Sequence, residues 1–244
     1  MGRRPIRLSR KTSLITGGGA GIGAATAKIF RAEGASVFVV DQNPGDGVDF
    51  VADVSDEAKA QEAVKRALEK FGRLDILVNN AAARNYSSIS EATKDEWKKI
   101  VEVNLIGTAN YCKAALPLLR KSGKGAIVNV SSTYAVAGRK GMGLYDATKA
   151  AILALTRTLA HEEAPAVRVN AVCPGSTLTD FHVNKARAAG KDLEKLKRER
   201  DDTSLLGRWA APEEIAWPIL WLASDEASFI TGAALMADAG LSIK

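Results

Sequence analysis

Apolar positions along the chain fall into short, nearly continuous runs separated by longer segments that read as helices. The runs 12–16 (TSLIT), 36–41 (SVFVVD), 74–79 (LDILVN), 126–131 (AIVNVS) and 168–173 (RVNAVC) have the unbroken apolar character of strands buried on both faces. Residues 48–52 and 234–237 predict two further, shorter strands. Helices are expected over about 24–33, 56–71, 93–120, 144–163 and 212–224, the last with proline at its first position ahead of two glutamates. Strand alternating with helix in this way implies an α/β fold: a doubly wound, Rossmann-like parallel sheet of about seven strands with helices on both faces.

Two places break the regularity. The link 42–47 (QNPGDG) is too short for the helical crossover that parallel neighbours usually need. If the third strand runs parallel to the second, its crossover is reduced to a loop. Within 93–120, Asn104 sits among Val101, Val103 and Leu105, which gives an unfavourable mid-helix asparagine a buried polar role. The segment 184–202 is polar and densely charged. It reads as a solvated helix or, more sharply, as a lid over residues 180–205 covering a site. With no linker, repeat or low-complexity block, residues 1–244 read as a single domain that includes a basic tail over 1–10.

Composition changes the picture little. At 244 residues, 46% hydrophobic and 25% charged, the chain resembles an ordinary soluble protein with room for a sizeable core. No apolar run is long enough to span a bilayer, and no apolar stretch follows the basic N-terminus as a secretory signal requires. Cys112 and Cys173 stand apart from any C-x-x-C pattern and are expected reduced and buried, in a cytoplasmic setting. His161 and His182 are too few for a metal site, and both are expected in solvent. The net charge of +6 raises nucleic-acid binding as a question. Arg3, Arg4, Arg7, Arg10 and Lys11 hold much of the excess, and no helix-turn-helix, zinc-finger or RNP pattern accompanies them. Neither a nucleic acid nor a membrane is expected as a partner.

The candidate chemistry is more specific. Gly17-Gly18-Gly19-Ala20-Gly21-Ile22-Gly23 follows a strand and opens a helix. Glycines there allow a tight turn and close approach to a pyrophosphate, while the helix end presents unpaired N–H groups and a positive dipole end. Asp41, at the end of the second strand, has the spacing of a carboxylate that binds an adenosine ribose and repels a 2′-phosphate. Ser131 and Ser132 end the fifth strand. Tyr145 and Lys149 lie four apart on the following helix, so phenol and ammonium share a face. A nearby cation lowers a phenol's pKa from its usual ~10, which fits it to exchange a proton with an alcohol or carbonyl oxygen.

Together these motifs resemble the short-chain dehydrogenase/reductase family, in its branch of single-domain enzymes, from about residue 11 to 240. Thr16-Gly17-x-x-x-Gly21-Ile22-Gly23 matches T-G-x-x-x-G-x-G, Asn79-Asn80-Ala81-Ala82 resembles N-N-A-G, and Tyr145 and Lys149 match Y-x-x-x-K. Ser132 precedes Tyr145 at the family's interval, and Pro174-Gly175 matches the P-G of the nicotinamide loop. Ala82, Thr177 and Ala239 depart from the usual residues. The resemblance implies a catalytic set of Ser132, Tyr145, Lys149 and Asn104. In it Lys149 tunes the phenol and binds the nicotinamide ribose, and Asn104 holds a water on a proton relay. It implies cofactor contacts from Gly17, Gly19, Gly21, Ile22, Gly23, Asp41, Asp53, Val54, Asn79, Ala81, Pro174, Gly175, Thr177 and Thr179, besides Tyr145 and Lys149. It also implies a homodimer or homotetramer built on the long helices.

The reading that follows is an NAD-dependent oxidoreductase interconverting a secondary alcohol and a ketone. NADP is disfavoured by Asp41 and by the lack of a basic residue in the glycine loop. Arg84, Tyr134 and Arg139, with Ser132, are candidate substrate contacts, which points to a small polar substrate such as a sugar, polyol or hydroxy acid. One alternative is an NADPH-dependent 3-oxoacyl reductase. Another, of a different class, is a catalytically silent NAD-binding sensor or scaffold; the presence of Ser132, Tyr145, Lys149 and Asn104 together argues against it.

Overall fold

The structure is a computed structural model that describes residues 6–198 and 204–244. Arg3 and Arg4 of the expected basic tail, and residues 199–203 of the expected lid, lie outside the described residues.

Among the described residues, seven strands form one parallel sheet in the order β3-β2-β1-β4-β5-β6-β7. They are β1 (Thr12–Thr16), β2 (Ser36–Asp41), β3 (Phe50–Val51), β4 (Ile76–Asn79), β5 (Gly125–Val130), β6 (Val167–Pro174) and β7 (Ala234–Ala237). The principal helices are α1 (Gly21–Ala32), α2 (Glu57–Phe71), α3 (Lys94–Val101), α4 (Gly107–Ser122), α5 (Gly143–Glu163), α6 (Asp180–Ala188), α7 (Leu193–Arg198) and α8 (Pro212–Ala223).

Side chains alternate between the two faces of the sheet, as the period of two along a strand requires. Ile15, Val37, Val39, Ile76 and Val78 pack with Phe30 of α1 and Ile219 of α8. Leu14, Phe38, Val40 and Leu77 pack on the other face with Val64 of α2, Tyr111 of α4 and Leu159 of α5. This is a Rossmann-like α/β fold with both faces covered. The order of strands reverses between β1 and β4, and in such sheets ligands bind beyond the strand ends at that point.

Three expectations change. The third strand shrinks from five residues to two and is parallel to β2, with no helix between them. Its register explains how a loop suffices: Val40 pairs with Phe50, and Asp49 N–H donates to Val39 O at 2.9 Å, so the chain returns only two residues before pairing again. The proposed tail is no tail beyond residue 6. Leu8 is fully buried in the core, its N–H donates to Glu33 O at 2.9 Å, and Arg7 pairs with Glu226 at 3.2 Å. The long helix expected over 93–120 is interrupted by a π turn over Glu102–Ile106, and that turn carries Asn104.

A polar thread crosses the buried face. Asn79 Nδ2 donates to Asn129 Oδ1 at 2.9 Å, and Asn129 Nδ2 donates to Thr156 Oγ1 at 3.0 Å. It joins β4, β5 and α5 where all three residues are shielded from water. Asn129→Ala leaves buried donors and acceptors unpaired, which costs about 1–3 kcal/mol for each group. Urea unfolding should show a loss of about 2 kcal/mol. A loss no greater than that of an exposed Asn→Ala control would mean that the thread adds nothing to stability.

Candidate active site

The loops that leave β1, β4, β5 and β6 meet at the C-terminal edge of the sheet. The loop after β1 turns through left-handed backbone at Gly17 (φ 62°) and Gly21 (φ 53°), a region that favours glycine. A Cβ on Gly17 would lie 2.8 Å from Ala81 Cα, and one on Gly23 would lie 2.1 Å from Gly17 O. The glycines therefore let this loop, α1 and the loop after β4 approach at backbone distance. Asn80 fastens the contact, its Nδ2 donating to Thr16 O at 3.1 Å and Gly17 O at 2.8 Å.

Helix α1 starts at Ala20 with no side-chain cap and no acid in its first turn. Its N–H groups thus point toward the cleft without a cap of their own. Gly21 N–H instead donates to Asp180 Oδ2 at 3.3 Å, a carboxylate arriving from α6. That end accepts anionic oxygen, which is the donor chemistry a pyrophosphate needs. The residues present fit a dinucleotide. Asp41 stands beside the loop, accepting from Gly19 N–H and Asn43 N–H at 3.0 Å each.

The reacting end is built by β5 and α5. Ser132 follows β5 and caps the turn Thr133–Ala135 through Tyr134 N–H at 3.2 Å. Tyr145 and Lys149 lie one turn apart near the start of α5, both buried. Lys149 Nζ donates to Val130 O at 2.8 Å and lies 5.6 Å from the centre of the Tyr145 ring. Burial lowers the Lys149 ammonium to about 8, with repulsion from Arg84 adding to the effect. The Tyr145 phenol is raised above its ordinary value, again mainly by burial. The positive charges of Arg84 and then Arg139, and a hydrogen bond with Ser132, act against that rise. Two arginines from neighbouring loops, which were not expected to act on the phenol, thus join Lys149 among the cations around it.

One cleft of about 580 Å³, a size usual for small-molecule sites, gathers most of the expected residues. Ser132, Tyr134, Tyr145, Lys149, Arg84 and Arg139 line its reacting end. Gly17, Gly21, Ile22, Asp41, Asp53, Val54, Ala81, Pro174, Gly175, Thr177 and Thr179 line the remainder.

Four expected residues do not line it. Gly19 is turned toward Asp41, and Gly23 is a close-packing position against Gly17. Asn79 shares its sheet face with Leu77, so strand alternation aims it into the layer of α4 and α5 rather than at a cofactor. Asn104 is 1% exposed. Its Nδ2 donates to Ala83 O at 3.1 Å and Thr148 Oγ1 at 3.0 Å, while its Oδ1 accepts from Ala83 N–H at 2.7 Å. Both amide hydrogens are engaged within the protein, so Asn104 ties two neighbouring segments together.

Sequence reasoning missed His182, Phe181 and Trp209, all on the cleft wall. His182 was expected in solvent. Its Nε2 lies 2.9 Å from Arg84 Nη1 and its Nδ1 lies 3.1 Å from Thr179 Oγ1, while its ring meets those of Phe181 and Trp209. Phe181 and His182 are the aromatic pair in an otherwise charged stretch, which was the available signal. In the segment expected as a lid, α6 and α7 rest on a small cluster of Ala186, Leu196 and Trp209. Cys112 and Cys173 are free thiols, buried as expected, and burial raises them to about 12 and about 11.

A family model described as enoyl-(acyl carrier protein) reductase matches residues 17–242. The chain is 37% identical to the 3-oxoacyl-[acyl-carrier-protein] reductase FabG of Thermotoga maritima, over 98% of this chain and 100% of that one. It is 36% identical to the trans-4-hydroxycyclohexanecarboxylate dehydrogenase of Sinomonas cyclohexanicum, over 98% of this chain and 96% of that one. Among solved structures, the ligand-free aldohexose dehydrogenase of Thermoplasma acidophilum superposes with a TM-score of 0.92 at 34% identity, covering 97% of this chain and 96% of that one.

The buried ammonium has a measurable consequence. With Lys149 at about 8 in the folded protein and 10.5 ordinarily, the unfolded chain binds the extra proton between those values. Stability from this group therefore rises as pH climbs from about 8 toward 10.5, and the full penalty for burying the charge is present below about 8. The stability difference between wild type and Lys149→Met should move in favour of wild type across that window, by about 3 kcal/mol at ~1.4 kcal/mol per pKa unit. Urea unfolding of both proteins at intervals from pH 7 to about 10.5 checks this, and a flat difference would place the ammonium in water.

Proposed function

We propose, from the premise that this chain belongs to the short-chain dehydrogenase/reductase family, that it is an NAD-dependent enzyme interconverting a small polar secondary alcohol and its ketone. The observation that carries this reading is the convergence of Ser132, Tyr145 and Lys149 with the glycine loop in one cleft. A nicotinamide dinucleotide, when bound, supplies the two-electron acceptor or donor. Residues 17–22 and the uncapped start of α1 would hold its phosphates, Asp41 its adenosine ribose, Asp53 and Val54 its adenine, and residues 174–179 the nicotinamide end.

In the oxidising direction Ser132 donates to or accepts from the substrate oxygen and holds it against Tyr145. The phenol oxygen of Tyr145, as phenolate, takes the hydroxyl proton. The carbinol carbon loses its hydrogen with both electrons, and the C–O bond becomes C=O. In the reducing direction the neutral phenol, which burial favours, returns the proton. Lys149 keeps positive charge beneath the site, and Asn104 fixes the loop and helix that flank it. The lining at the adenosine end, Asp41 with Gln42 and Asn43, carries no cation for a 2′-phosphate, and this supports NAD over NADP. We further take the protein to be one domain, cytoplasmic, and to associate as a homodimer or homotetramer through α4 and α5. No described helix is long and apolar enough to cross a membrane. Similarity to a 3-oxoacyl reductase keeps one second reading, an NADPH-dependent carbonyl reductase.

Two measurements test the proposal. Tyr145→Phe should lower kcat by about 10²–10⁴-fold, the usual worth of a general acid/base, and full turnover by that variant would end the reading. The ratio of kcat/KM for NAD to that for NADP, with one alcohol held constant, should exceed about tenfold, since one unpaired charge contact is worth ~1.4 kcal/mol or more. A ratio below one would favour the second reading.

A further inference from the structure

Four cationic side chains line the cleft: Arg84, Lys99, Arg139 and Lys149. Two of them have clear partners. Arg139 lies 3.0 Å from Asp146 Oδ1, and Lys149 donates to the Val130 carbonyl. Arg84 differs. Among the described residues no carboxylate lies within ion-pair distance of its guanidinium.

Arg84 is nonetheless held in place. Its guanidinium sits 4.9 Å from the centre of the Phe181 ring, and its Nη1 donates to His182 Nε2 at 2.9 Å. Arginine is always a donor, so that bond assigns His182 as a neutral imidazole accepting at Nε2 and donating from Nδ1 to Thr179 Oγ1. From behind, the backbone of Ala83, the residue before Arg84, is gripped at both N–H and C=O by Asn104. An exposed arginine without a role usually trails into solvent. This one is stacked, hydrogen-bonded and anchored at its base, with N–H donors left over. Its charge acts on both Tyr145 and Lys149, so it is within electrostatic reach of the reacting groups.

We propose that the substrate oxidised or reduced here carries a carboxylate, and that Arg84, positioned by Phe181 and His182, is the residue that receives it. The inference rests on the alcohol–ketone reading above and narrows it from small polar molecules to hydroxy or oxo acids. A carboxylate on Arg84 gains a charge-assisted, geometrically matched pair of hydrogen bonds. It also meets the uncompensated positive field of the site, which steers anions inward. A neutral sugar or polyol of the same size satisfies neither, and leaves the remaining guanidinium donors without a carboxylate. The name of one relative, a trans-4-hydroxycyclohexanecarboxylate dehydrogenase, shows that the family accommodates such acids.

The experiment compares charged and neutral twins. Turnover of trans-4-hydroxycyclohexanecarboxylate is measured against that of its carboxamide, in wild type and in Arg84→Gln and Arg84→Lys. In parallel, calorimetry measures binding of the unreactive pair cyclohexanecarboxylate and cyclohexanecarboxamide to enzyme saturated with its reduced cofactor. The wild type should favour the acid by about tenfold or more in both assays, the worth of one charged hydrogen bond. Arg84→Gln should erase the acid-to-amide ratio, and Arg84→Lys should keep part of it. Equal binding of acid and amide by wild type, or a preference that survives Arg84→Gln, would overturn the proposal. So would an Arg84→Gln loss confined to weaker NADH binding, because the guanidinium would then serve the cofactor. Binding preference for the acid with no turnover of any alcohol would support the anion subsite and count against the alcohol–ketone chemistry.

Discussion

A lysine ammonium buried at the end of a central strand constrains everything around it. Removing such a charge from water is costly unless it finds partners. Lys149 finds one in the carbonyl of Val130, the last residue of β5, and its own carbonyl accepts from Ser131 Oγ at 2.7 Å. These two bonds fix the start of α5 against the end of β5. They leave little freedom in where Tyr145, one turn earlier, can stand, and Ser132 follows directly from the same strand. Chemistry and fold are thus coupled at one joint: the group that most resists burial is also the group that sets the register of helix on strand.

The same burial decides the charge balance above that joint. Desolvation pushes the phenol of Tyr145 toward its neutral form, and it outweighs the pull of nearby cations. Of those cations, Arg84 comes from the loop after β4 and Arg139 from the loop before α5. Arg139 also packs on the Tyr134 ring, 3.7 Å from its centre, and is partly neutralised by Asp146. Burial thus sets the direction of the phenol's shift, and residues of two surface loops moderate it.

What the sequence disclosed followed from how local each feature is. β1, β2 and β7 lie at the bounds that their apolar runs predict, because a strand buried on both faces writes its own length. The glycine loop, Asp41, Ser132, Tyr145 and Lys149 were legible from spacing within single elements, and the cleft does gather them. Destinations across the fold were not legible. Arg84 and His182 are 98 residues apart, so no local pattern could pair them. Asn79 looked like a cleft residue until strand alternation placed it with Leu77, facing Cys112 and Asn129. Leu8 looked like part of a tail, since one buried leucine among basic residues has no periodicity to read. The crossover missing after β2 was visible as a length, but only the register of β3 shows why a loop is enough.

The π turn at 102–106 illustrates how far such a non-local effect extends. In it Gly107 N–H bonds to Glu102 O, five residues back, so the turn holds one residue more than a regular helix would. An α-helix advances about 100° per residue, so that extra residue turns every later side chain relative to the earlier ones. Asn104 lies inside the turn, where its amide reaches Ala83 on one side and Thr148 on the other. Ala83 carries Arg84, and Thr148 sits between Tyr145 and Lys149 on α5, donating to the carbonyl of Tyr145 at 2.8 Å. One irregular turn, whose Val103 lines the cleft while Asn104 is buried behind it, thereby ties the loop that carries Arg84 to the helix that carries Tyr145. The geometry at the reacting end is decided in the core, by a hydrogen-bonding residue whose own position depends on a helix that is wound too wide.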